Sequence, residues 1–361
     1  MQIGTAAELG VSPEQVQNFY RDVWSRPIAL SDPNFYAWQF INSPRDMGLD
    51  SCVIAFDEKI GQVAGAMGVT PRNFNLGQTT LRGGELTTWA TGEAYRNKGA
   101  GAKILKHIMD NFDILIGMGI TNDALPIYLR SGFKYVREIP RFVKVLDFEK
   151  IEAFCETDAM GMRLAKKWSG VSSKNYDVSV ATPDDIESAY AQMTKQYNLF
   201  ARDSVNMAWR YDAHPNFKYM QFCVRPIGSK HKSIVAVRFH QTDQGFTVLH
   251  IMDVFGDQSA IGPARCFIEN FGAENGAHVI DFYCTSSAIY AEFVANNWFS
   301  TTNDPQFCFP HLFSPLELRH PQTTSLIYWA KDHLVDMADI SKLYITKQDA
   351  DLDRPVPATA T

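Results

Sequence analysis

At 361 residues, with 45% hydrophobic and 20% charged side chains, the chain is long enough for two globular domains and too apolar for disorder away from its ends. A formal net charge of −6 argues against a broad nucleic-acid surface, so no nucleic-acid partner is expected. No apolar run approaches the roughly 20 residues of a membrane helix and no basic segment precedes an apolar leader, so a cytoplasmic location with no membrane partner is expected. The six cysteines are scattered without a CxxC pair or zinc spacing, which predicts reduced, buried thiols and no metal.

In chain order, Pro13 to Trp24 has helical periodicity, and Asp32-Pro33 caps and starts a second helix. Cys52 to Phe56 and Gln62 to Val69 read as strands flanking the turn-like Asp57 to Gly61, an antiparallel hairpin. Glu85 to Ala90 is the next strand, Lys98 to Phe112 a helix, and Leu115 to Ile120 another strand. A short helix over Asn122 to Arg130 stops at Ser131-Gly132, ahead of a strand over Tyr135 to Val145. Ile151 to Lys167 reads as helix and Ser169 to Ser173 as a linker. The order describes a mixed α/β fold, α+β in character with a mixed sheet.

The second half repeats the first. Trp38 and Pro44 recur as Trp209 and Pro215, each pair 171 positions apart with aromatic residues between. Met220 to Arg225 and Ser233 to His240 form a second hairpin, Phe246 to Phe255 a third strand, Arg265 to Gly272 a helix and Val279 to Tyr283 a strand. The expected organisation is two tandem domains, 1–168 and 174–345, then a tail, 346–361.

The most informative stretch is Arg96-Asn97-Lys98-Gly99-Ala100-Gly101-Ala102, where small residues stand between a strand and a helix. Such a junction presents backbone N–H groups to a phosphate. The corresponding stretch of the second half, Ser259 to Ala264, contains Pro263, which lacks an N–H and blocks close approach.

Arg96, Gly99 and Gly101 fill the defining positions of the pyrophosphate motif of the GCN5-related N-acetyltransferase (GNAT) superfamily, which the first half resembles. A second family feature, Asn122 to Phe133, follows after the expected helix and strand. The wider chain is similar to tandem-domain bacterial acyltransferases found in surface-polysaccharide biosynthesis, some of which modify amino sugars attached to nucleotides, and its second GNAT-like domain is degenerate. The resemblance implies acetyl-CoA or another short-chain acyl-CoA as co-substrate, held between two splayed strands near Ala90, Thr91 and Asn122. Its pyrophosphate would meet Lys98, Gly99, Ala100, Gly101 and Ala102, with Arg96 contacting phosphate or holding the loop.

The implied reaction is direct acyl transfer to an amine. Tyr128 matches the family's general acid for the departing thiolate, the other reading being an aromatic packed beneath the last strand. Glu85 is the candidate base or water-positioning group, or else an ordinary strand-end carboxylate. Arg210, Asp253, Tyr283, Trp298 and His311 are the candidate acceptor-pocket residues from the second half. The expected acceptor is a nucleotide-linked amino sugar, with a small amine, amino acid or peptide as the alternative, or a non-catalytic acyl-CoA-binding role. Many relatives form dimers, so a homodimer is the modest expectation.

Overall fold

The computed structural model describes residues 1–24, 26–45, 48–96, 98–313, 315–350 and 353–355. Asn97 of the glycine stretch, and 351, 352 and 356–361 of the expected tail, lie outside them. The first half runs β1 (Gln2–Thr5), α1 (Pro13–Val23), α2 (Pro33–Phe40), β2 (Val53–Asp57), β3 (Gln62–Leu76), β4 (Thr79–Thr91), α3 (Ala100–Asn111), β5 (Ile114–Met118), α4 (Leu125–Arg130), β6 (Lys134–Val136) and β7 (Arg141–Val145). A short α5 (Phe148–Ile151), β8 (Glu156–Thr157) and α6 (Ala159–Trp168) follow. The second half runs β9 (Tyr176–Val180), α7 (Pro183–Met193), β10 (Leu199–Phe200), α8 (Ser204–Met207), β11 (Met220–Pro226), β12 (Ser233–Gln241), β13 (Thr247–Gly256), α9 (Gln258–Glu274), β14 (Val279–Tyr283), α10 (Ser287–Val294) and β15 (Phe299–Ser300). It closes with the short β16 (Phe307–Cys308), β17 (Leu312–Phe313) and β18 (Leu316–Glu317), and with β19 (Leu326–Ala330).

Local chemistry explains these elements. Ser12 and Gln15 form a capping box on α1, which buries Val16, Phe19 and Tyr20. The long β3–β4 hairpin turns at Gly77 and Gln78, both with positive φ (52° and 72°), as a two-residue hairpin loop requires. In α3, Ala100, Ile104, Leu105 and Ile108 fall on one face and pack under the sheet, while Lys103 and Lys106 face water.

Two mixed sheets result, and each borrows a strand from the other half. One has the order β1-β2-β3-β4-β5-β19-β6, with β10 pairing β3; the other has the order β15-β7-β14-β13-β12-β11-β9. The expected single strand Tyr135 to Val145 is thus two strands in two sheets, broken where Arg137 to Pro140 crosses over. Pro140 cannot donate to a ladder, and Pro140 O instead accepts from Cys284 N at 3.1 Å. Reciprocally, β19 lies antiparallel between β5 and β6.

Two other expectations differ from the structure. Ile151 to Lys167 is not one helix: β8 interrupts it, and Asp158 caps a fresh start by accepting from Gly161 N. Ser259 to Ala264 is not a loop, because α9 begins at Gln258 directly after β13 and holds Pro263 within its first two turns.

The repeated tryptophans meet each other. Trp38 and Trp209 stack at 5.2 Å with 15° between ring planes, and each indole N–H donates to the other's backbone carbonyl at 2.9 Å. This reciprocal contact marks the pseudo-two-fold relation between the halves. The segment expected as a tail is embedded between them, with Thr346, Gln348 and Asp349 fully buried.

Candidate active site

Strands β4 and β5 are paired in parallel only from Gly83–Leu86 to Ile114–Gly117, after which they diverge. A bulge on the other edge of β4 leaves Thr88 opposite no residue of β3, at φ 36°, and its carbonyl accepts from Tyr20 Oη at 3.0 Å. At the mouth of the splay, α3 starts after Gly99, whose φ of 79° suits glycine and whose place at the cap leaves no side chain to satisfy the first-turn N–H groups. Gly101 lies flat on the Trp89 indole: a Cβ there would sit 3.0 Å from Trp89 Cζ2. The cleft therefore has an anion-receptive end at residues 98–102 and an aromatic wall.

Tyr128 stands in that wall, edge-on to Trp89 at 5.3 Å and to Phe133 at 5.0 Å. Burial raises its phenol above the ordinary value, so it stays protonated at neutral pH. Ala90 is buried and Thr91 half-buried at the end of β4, while Arg96, Lys98, Ala102 and Asn122 are exposed around the opening.

The opposite face of β4 turns toward the second half. Glu85 is not a solvated strand-end carboxylate; it is 5% exposed, and its Oε1 has no hydrogen-bond partner. Burial pushes its carboxyl up, opposed by the charges of Arg72 and Arg210. Arg210 sits on a π-helical turn, Ala208–Asp212, and with Glu85, Thr70, Gln39 and Trp209 borders a gap of about 10 Å³. That is space for about one water molecule among groups that can hydrogen-bond to it.

Beside this gap runs the C-terminal segment. Asp349 pairs with Arg72 at 3.4 Å and with Arg202, which also holds Asp253 at 3.0 Å. Lys347 reaches Asp281 at 2.9 Å, and Asp353 pairs with Arg238 and accepts from Tyr219 Oη at 2.6 Å. Arg354 donates to both Thr87 and Thr88 on β4, to the latter at 2.6 Å.

Arg354 also lines a cavity of about 270 Å³ in the second half, so this cavity reaches the bulged end of β4. Its walls carry Arg238, Lys347, Asp281 and Asp353, the rings of Phe217, Tyr283 and Phe313, and His240, His250 and His311. Burial lowers His250 to about 3 and His311 to about 4, so both are neutral near pH 7.

Of the acceptor candidates, Tyr283 and His311 line this cavity and Arg210 borders the small gap beside Glu85. Asp253 and Trp298 reach neither. Asp253 is occupied by Arg202 and by Tyr344 Oη at 2.7 Å, and Trp298 is a core residue donating to Glu269 at 2.7 Å. Sequence reasoning missed Arg238, His240, His250, Asp281, Lys347 and Arg354. Their signal was available: Arg238 and His240 alternate with apolar residues on β12, and a charge in an apolar strand demands a partner.

The second half has its own splay, since β13 and β14 pair only from Val248–Ile251 to Val279–Phe282. The chain itself fills it. Tyr344 Oη donates to Val254 O at 2.5 Å, and Ile345 exchanges hydrogen bonds with Thr285 at 2.9 and 3.2 Å. With α9 starting directly after β13, no glycine loop separates strand from helix there, so of the two splays described only that between β4 and β5 is open. Among the described residues no cluster of three His, Cys, Asp or Glu can hold a metal, and no helix is long and apolar enough to cross a membrane.

Two strand-exchanged halves, with one open splay between β4 and β5, define the fold. Residues 14–124 match the acetyltransferase (GNAT) family model. Among solved structures, the fold is similar to a GCN5-related N-acetyltransferase from Anabaena variabilis, with TM-score 0.51 and 14% identity over 91% of this chain and 72% of that one. It is also similar to N-myristoyltransferase from Saccharomyces cerevisiae with bound myristoyl-CoA, with TM-score 0.52 and 9% identity over 91% and 78%. No curated protein matches the sequence. The first half thus contains a match to the GNAT acetyltransferase family model, and the whole chain shares the tandem fold of these solved structures.

Proposed function

We propose that the protein transfers a short acyl group from acyl-CoA to the amine of a nucleotide-linked amino sugar. The donor would lie in the β4–β5 splay along Ala90 and Thr91, with Asn122 beside the pantetheine arm. Its pyrophosphate would lie against Lys98, Gly99, Ala100, Gly101 and Ala102, with Arg96 at the rim. Tyr128 would protonate the leaving thiolate, and Glu85 would influence the acceptor's proton through the water-sized gap it shares with Arg210.

The observation that carries the acceptor reading is the 270 Å³ cavity. Its described lining has three cations, Arg238, Lys347 and Arg354, against two carboxylates, Asp281 and Asp353, so an anionic guest is favoured. Phe217, Tyr283 and Phe313 offer rings against which a sugar or base can pack. Arg354, joining cavity and β4, would bring the amine of such a guest toward the thioester. The cavity suits one end of the acceptor, the remainder lying toward its mouth.

The test is release of free CoA thiol across a panel of acyl-CoAs with nucleotide-linked amino sugars, amino acids, peptides and uncharged amines. Turnover of the anionic amino sugars supports the proposal. Turnover confined to uncharged amines refutes it.

A further inference from the structure

The second sheet ends in an open edge. β9 is its last strand, pairs with β11 alone and shows no break of register against it. The other sheet edges are short or already engaged. β15 has two buried residues, β6 has three, and in β1 Glu8 accepts from the Thr5 N–H at 2.8 Å. In β9, by contrast, Asp177, Val178, Ser179 and Val180 are all exposed, Val178 at 44% and Val180 at 74%. The strand has no proline, lysine or bulge, the devices that keep such edges from pairing. From this edge we infer that the protein forms a two-fold homodimer in which β9 pairs antiparallel with β9 of a second copy, joining their sheets. The inference does not depend on the acyl-transfer reading.

The backbone decides which groups the edge offers. Ala181 N donates to Gln221 O at 3.0 Å, so Ala181 faces β11. In an antiparallel ladder a residue's N–H and C=O point to the same side, and the side alternates along the strand. Asp177 and Ser179 therefore also face β11, while Tyr176, Val178 and Val180 present both groups outward. A two-fold pairing has to match outward residues with outward residues. Centred on Val178, it sets Val178 against Val178 and Tyr176 against Val180 of the second copy, and every outward N–H of the two strands meets a carbonyl.

The side chains select the same register. Tyr176, Val178 and Val180 share one face, on which Tyr176 packs against Phe267 of α9 at 5.6 Å. The pairing brings the two Val178 side chains together and lays each Val180 against the Tyr176 of the other copy, favourable cross-strand pairs of β-branched and aromatic residues. On the opposite face Asp177 meets Ser179 of the second copy. Ser179 Oγ accepts from Arg225 Nη1 at 3.4 Å, which leaves the hydroxyl hydrogen to donate to that carboxylate. A pairing centred on Asp177 would oppose two carboxylates, and one centred on Ser179 would set Tyr176 against Thr182, outside the strand.

An edge of five residues covers less than a standard interface, so the dimer is reversible and depends on concentration. Sedimentation velocity of the full chain from about 1 µM to about 1 mM spans the affinities such an interface reaches. The mass should rise from 40.7 kDa toward twice that value. Val178→Pro removes the central outward N–H and no bond to β11, and Val180→Lys sets a charge on the apolar face; both should remain monomeric. Should V178P fail to fold, V180K carries the test, because Val180 is exposed. Amide hydrogen exchange identifies the surface: Tyr176, Val178 and Val180 should be protected in the concentrated wild type and not in V180K. A wild type that stays monomeric throughout, a dimer that persists in V180K, or a dimer whose three outward amides exchange freely overturns the inference. A monomer whose β9 amides become protected only on adding an extended peptide overturns it too, and assigns the edge to a foreign strand.

Discussion

Replacing Gly101 by alanine tests the donor cleft most directly, because its effects on stability and on binding separate. The new Cβ would lie 3.0 Å from Trp89 Cζ2 and 3.3 Å from Cε2 and Nε1. Comfortable carbon contacts are about 3.5–4.0 Å, so roughly 0.5 Å or more must be found. The indole cannot retreat, since Tyr128 packs against it and Phe133 against Tyr128. The first turn of α3 must lift instead. Alanine gains about 1 kcal/mol of helix propensity over glycine, and such crowding costs about 1–3 kcal/mol, so the net loss of stability is at most about 2 kcal/mol. The lifted turn also moves its N–H groups off the pyrophosphate. Losing one charge-assisted hydrogen bond, about 1.5–3 kcal/mol, weakens acetyl-CoA binding roughly 10- to 100-fold. Calorimetric titration with acetyl-CoA, alongside thermal unfolding, reads both quantities. Wild-type affinity in a folded G101A protein would refute the placement of the phosphate.

Tyr128→Phe should leave acetyl-CoA affinity unchanged and lower kcat when chemistry is rate-limiting; an unaltered single-turnover rate would remove Tyr128 from the mechanism. Asp349→Ala takes from buried Arg72 its carboxylate partner and leaves buried Arg202 with Asp253 alone, and should cost about 3–5 kcal/mol in urea unfolding. A loss below about 1 kcal/mol would mean that the C-terminal segment is not a structural clamp. Burial lowers His214 and His250 to about 3 and His311 to about 4, all below the unfolded value of about 6.5. Between those values the unfolded chain binds more protons, so their contribution to stability is full above pH 6.5 and declines as pH falls toward 3. Urea midpoints at pH 7.5, 5.5 and 4.5 should decrease in that order, and a constant midpoint would contradict the buried, neutral histidines.

The strand–glycine–helix junction of the first half was legible because its determinants are local. A phosphate approached by backbone needs small residues side by side, and Gly99 to Ala102 are contiguous in the sequence. The cavity of the second half was not legible, because its polar residues are gathered from β12, β13, β14, His311, Thr324 and the C-terminal segment. Arg238, His250 and Asp281 are flanked by apolar neighbours, and Lys347 by polar ones that read as a solvated tail. Nothing local shows that Asp349 meets Arg72 and Arg202, far away in the chain. Glu85 reads the same whether it ends in water or beneath Arg210.

The sequence by itself determined the two-fold repetition and the strand–glycine–helix order, both of which depend on periodicity and on neighbours within a few residues. Tertiary structure decided that the halves exchange β7 and β19, that Trp38 and Trp209 face each other, and that Tyr344 and Ile345 fill the second splay. The reason is that buried charges and unpaired strand edges must find partners wherever the fold brings them, and those partners lie tens to hundreds of residues away.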